Sequence, residues 1–162
     1  MFATVLALFI ARMSLGDLIR IAGAVPDFVF IAVMFFGIFF GKSAGFEAGI
    51  AGGILTDIFS LDIPGMNTFI LAVTGYVAGS LGNKLSRDSM VGQFCGVLIF
   101  FLMSSSLRYY LVSRLSSPVV FSFSEFLAAA VSGQAAYTAA LAVPLFSMGI
   151  KLYGLRETEE LI

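Results

Sequence analysis

Apolar residues fall into six long runs, and the breaks between them carry turn chemistry. The first run covers about residues 2–18 and contains Arg12 and Asp17. The second covers 26–41 and is rich in Phe and Ile. The third covers 44–61, with Glu47 and Asp57 inside it. The fourth covers about 65–82, the fifth about 90–112 and the sixth about 124–152. Gly41-Lys42-Ser43, Asp62-Ile63-Pro64-Gly65, the charged stretch Lys84 to Asp88, and Ser113 to Phe123 separate the later runs. Gly and Pro at such breaks are turn residues. The runs are continuous, not alternating, so they predict helices and argue against a barrel. A hydrocarbon core of about 30 Å needs roughly 20 residues per helix, or about 27 with a loop. The pattern therefore predicts an all-α integral membrane protein: a bundle of six transmembrane helices forming a single domain over 1–162, with a short acidic tail from about 154.

Composition strengthens this picture. Of 162 residues, 59% are hydrophobic and 12% charged, and the mean hydropathy is +1.02. Soluble domains carry about 25% charged residues, and a soluble globule of this size has too little interior to hide so much apolar surface. There is no His, and the single Cys95 excludes an internal disulfide or a cysteine zinc cage. Cys95 sits in an apolar run, where a thiol is expected to pack as a small hydrophobe. No basic run points to nucleic acid. No nucleophile–base pair, phosphate-binding glycine loop or metal-ligand spacing appears. The expectation is a non-enzyme in membrane lipid, without cofactor or metal, in which any chemistry lies in the bundle or comes from a partner.

Basic residues orient the bundle. With six crossings, one side holds Lys42, Lys84, Arg87, Lys151 and Arg156, and the other holds Arg12, Arg20, Arg108 and Arg114. Arg12 and Arg108 fall within apolar runs, so the loop charges favour cytoplasmic termini. That topology places Asp27, Asp57, Asn67, Arg108 and Glu125 all in the outer half. Charged groups at such depth face protein or water and tend to pair. An outer polar cluster is expected, with Arg108 bridging Asp57 or Asp27. Pro26-Asp27 also suits a helix start, with Pro at the first helical position and a carboxylate at the positive end of the dipole.

Small residues form two stripes of period four. Gly45, Gly49 and Gly53 lead to Asp57 on one face of the third helix, with Gly52 beside them. Such stripes let helices approach closely in lipid. The reading is internal packing, with a partner-binding face as the alternative, and Asp57 should face protein. Ala3, Ala7 and Ala11 form the second stripe, again read as packing, with a partner face as the alternative. Gly75-Tyr76 and Gly79 lie mid-way along the fourth helix, where a buried Tyr would need a hydrogen-bond partner. Ser104-Ser105-Ser106 can bond back to helix carbonyls, and Pro144 should kink the sixth helix.

Taken in order, Pro26-Asp27, then Gly45-Phe46 with Gly49, Gly53-Ile54-Leu55 and Asp57, then Pro64-Gly65-Met66-Asn67, then Gly75-Tyr76 with Gly79, resemble the MreD family of bacterial rod shape-determining membrane proteins. The motifs cover about 24–82; the remainder matches by hydropathy. The resemblance implies a multi-pass protein of the bacterial inner membrane, with a fold similar to the S components of energy-coupling-factor transporters. It implies a partner, MreC, with one span and a large periplasmic part, and indirect association with RodA, a class B penicillin-binding protein and MreB. It implies a scaffold or regulator of cell elongation and peptidoglycan synthesis, not an enzyme. The alternative is a vitamin-binding S component, with the outer cluster as ligand cavity and the Ala3, Ala7, Ala11 stripe as the seam for a coupling subunit.

Overall fold

The computed structural model describes residues 2–15, 25–60, 63–82, 90–115 and 134–154. Six helices make up these segments: α1 (Phe2–Leu15), α2 (Phe28–Phe40), α3 (Lys42–Phe59), α4 (Met66–Leu81), α5 (Met90–Leu115) and α6 (Gln134–Leu152). Each overlaps the apolar run that predicted it; α3 starts at Lys42 and α5 continues to Leu115, so Lys42, Ser43 and the stretch Ser113 to Leu115, read as breaks, are helical. Asp17, Arg20, Lys84, Arg87, Glu125 and the acidic tail fall outside the described residues, as do the side chains of Ala11 and Arg12.

The centre of the bundle is α2. Its sequence, FVFIAVMFFGIFF, is apolar on every side, and each residue from Phe28 to Ile38 is buried. A helix without a polar face has to be surrounded, and α2 touches all five others. Asp27 caps its start and Gly41, at φ 93°, ends it. Gly41 is also the whole connection to α3. A left-handed φ costs a glycine least, which is why the chain can reverse on one residue.

The other helices turn small or apolar faces to this centre. From α1, Val5 and Phe9 point inward; from α5, Val97, Phe100 and Phe101; from α6, Ala135, Ala139, Ala142 and Phe146. Near the end of α2 formed by Phe40, Phe35, Phe36, Phe39 and Phe40 mesh with Phe146 and Tyr153, for example at 5.0 Å between the rings of Phe35 and Phe39 and 5.7 Å between Phe35 and Phe146. Gly149 leaves room for the Phe35 ring, since a Cβ there would come within 2.7 Å of it. The Tyr153 hydroxyl meets Thr4 Oγ1 at 2.6 Å and joins the last helix to the first.

Two helices, α5 and α6, are long and apolar enough to cross a membrane; α2 and α4 are apolar but shorter. The six apolar runs give six helices among the described residues, and the second run gives the shortest of them. The reason lies at the ends of α2, where a capping carboxylate and a one-residue turn confine the helix to 13 residues. Helix α6 runs on through Pro144. Cys95 is exposed, not packed as a core thiol. Tyr76 is exposed as well, edge-on to Phe46, so it does not need the buried partner expected of it.

Candidate functional site

The glycine stripe of α3 rests against the backbone of α4. A Cβ on Gly45 would strike the Gly75 carbonyl, one on Gly49 the Leu71 carbonyl, and one on Gly53 the Cα of Thr68. The fourth helix answers with its own small residues: a Cβ on Gly75 would meet the Gly45 carbonyl, and one on Gly79 the Cα of Lys42. Gly75 and Gly79 therefore belong to the same seam as the α3 stripe. Contact this close lets dispersion forces and backbone approach hold two helices in lipid, where apolar burial alone drives nothing.

Close approach brings Asp57, near the end of α3, to the start of α4. The N-cap of α4 is Gly65, in the left-handed region and without a side chain to offer. Asp57 supplies the missing acceptors from the neighbouring helix. Its Oδ1 accepts the Asn67 backbone N–H at 3.0 Å and the Asn67 side-chain amide at 2.9 Å. Its Oδ2 accepts the Thr68 backbone N–H at 3.0 Å and the Thr68 hydroxyl. The N–H groups of Met66 and Phe69 bond to the carbonyls of Ile63 and Gly65. The first turn of α4 thus has all its orphan donors satisfied, with a carboxylate at the positive end of its dipole.

Asn67 extends the network to α5. It is 1% exposed, and its amide nitrogen donates to Asp57 and to Ser60 Oγ at 3.3 Å. Its Oδ1 accepts from Arg108 Nη2. The link from Arg108 to Asp57 therefore passes through Asn67. Further along the same helix pair, Thr74 and Ser104 meet at 2.9 Å while each hydroxyl also bonds back to its own helix. Ser104 is thus an interhelical contact as well as a back-bonding serine.

Asp27 performs a similar capping task for α2. Its side chain accepts the Phe30 N–H at 3.2 Å, and its own N–H donates to Thr138 Oγ1 of α6 at 3.3 Å. The helix begins two residues later than Pro26 at its first position would give, so Pro26 precedes the cap. Of the five residues expected in the outer cluster, the structure joins Asp57 and Arg108 through Asn67 and sets Asp27 at the start of α2; Glu125 lies outside the described residues. Sequence reasoning missed Thr68, Thr74 and Thr138. The signal for Thr68 was its place at the third position of a helix whose cap is glycine.

Ala3 and Ala7 are exposed, and Val5 and Phe9 form the inward face of α1. At the two described positions the packing reading of this stripe is corrected: Ala3 and Ala7 face outward, alongside exposed Leu6, Ile10 and Met13.

The sequence matches the family of the rod shape-determining protein MreD over residues 1–155. The chain belongs to the MreD family. MreD proteins are membrane-associated and take part in determining rod shape. Comparisons with curated proteins and with solved structures each gave no match.

Proposed function

We propose that this MreD-family chain is a non-catalytic scaffold of cell elongation in the bacterial inner membrane. In this reading its six helices cross the bilayer in an S-component-like arrangement with both termini cytoplasmic. The bundle binds the span and membrane-proximal part of an MreC-like protein and so modulates peptidoglycan synthesis, with RodA, a class B penicillin-binding protein and MreB reached indirectly. The observation that carries the reading is the family match over residues 1–155. The arrangement of polar groups supports it: the oxygens of Asp57 and the amide of Asn67 are engaged in holding α3, α4 and α5 together. The outward Ala3–Ala7 face of α1 is the proposed partner seam, since small exposed residues let another helix come close.

Purification of a tagged copy from native membranes in mild detergent tests this. Co-recovery of a single-span, coiled-coil protein with wall synthases is expected. Ala7→Leu should lower that recovery without changing the amount of the chain in the membrane. Recovery of a membrane coupling subunit with paired ATPases would instead identify a transporter component.

A further inference from the structure

We propose that the α3–α4 face holds the surrounding bilayer thin, while the α5–α6 side meets it at full thickness; the proposal rests on the membrane-crossing reading above. Glu47 sets the level on one side. It is exposed on α3, five residues past Lys42, and makes no hydrogen bond or ion pair among the described residues. An unpaired carboxylate in hydrocarbon is costly, so Glu47 belongs at the headgroups. From Glu47 to Ser60, the C-cap of α3, the helix rises only about 20 Å. On α4, exposed Tyr76 marks the same level through its contact with Phe46. From Tyr76 back to Gly65, the N-cap, is about 17 Å. Exposed Ile54, Ile58 and Phe69 lie between these limits.

The other side is taller. No charge interrupts α5 between Met90 and Arg108, a rise of about 27 Å. Helix α6, at 19 residues, carries no charge before Lys151 and spans about 29 Å. These heights suit a core of about 30 Å; the α3–α4 face falls about 10 Å short of it. Tilting fits a long helix to a thin bilayer but only shortens a short one further. The remaining accommodation is thinning of the lipid beside the short face.

The chain has no Trp, so single Trp variants report depth without background. Phe46→Trp, Ile58→Trp and Ile99→Trp all replace exposed residues. The full chain is reconstituted in dioleoylphosphatidylcholine vesicles doped with lipid brominated either near the carbonyl or near the chain end. Phe46→Trp and Ile58→Trp should both be quenched more by the shallow bromine, and Ile99→Trp more by the deep one. Tyr76→Trp repeats the lower reading if Phe46→Trp fails to assemble. Deep quenching at position 46 or 58 would mean that this face lies in bilayer of ordinary thickness; the proposal then fails while the crossing reading stands. Absence of quenching at all positions would overturn the crossing reading and the proposal with it.

Discussion

Asp57 does for α4 what a capping residue ordinarily does for its own helix, but from ten positions upstream. The carboxylate has four donors, two of them backbone N–H groups in the first turn of α4. Asp57→Ala leaves these unsatisfied in a buried or half-buried setting, where each orphaned group costs about 1–3 kcal/mol. A loss of about 3 kcal/mol is expected, read as a lower thermal midpoint in detergent, with Asp57→Asn recovering part of it. Coupling is the finer test. A double-mutant cycle between Asp57 and Arg108 should give about 1 kcal/mol, a size found between residues sharing one network, and the coupling should vanish in an Asn67→Ala background. Persistence there would show that Arg108 acts on Asp57 by another route. The sequence told which residues were dear enough to need company; it did not tell that Asn67 would stand between the charges. That depends on the Gly65 cap and on how near two helices come, and neither is visible in a charge count.

Between elements, glycine decides the distance. The α3–α4 seam is built of mutual notches, so a methyl group has no space unless the backbones part. Gly53→Ala would strike the Cα of Thr68, and the expected cost is at the upper end of overpacking, about 3 kcal/mol. Gly52→Ala meets side chains and no backbone, the Cγ1 of Val29 at 2.5 Å and of Val5 at 3.5 Å, so its effect should be smaller. Comparing the thermal midpoints of the two variants checks the order; equal losses would contradict a backbone-limited seam. The period-four glycines were legible because residues four apart share one face of a helix. The outward turn of Ala3 and Ala7 was not. In α1 the residues on both sides of the helix are apolar, so periodicity could not choose between a stripe of alanines and the Val5–Phe9 pair. Volume chose: the larger side chains fill the space beside α2, and the small ones are left outside.

For the whole molecule, the run pattern foretold the number and order of the described helices, because a continuous apolar stretch between turn residues has few other outcomes. The run of α2 is short as well, and burial of that helix inside protein removes the need for it to match a bilayer. The topology proposed for the bundle predicts that reporter fusions after Leu81 and after Leu152 act as cytoplasmic, and fusions after Ser60 and after Leu115 as external. An external reading at Leu152 would reverse the basic-residue argument. The contact between Thr4 and Tyr153 spans 149 positions, and this has a consequence for biogenesis. The first helix leaves the ribosome long before its clasp exists. Until Tyr153 is made, that end of α1 is held, among the described residues, by what it meets on α2 and α3. A chain truncated before Tyr153 would keep every described helix and still lack the fastening between α1 and the residue that follows α6.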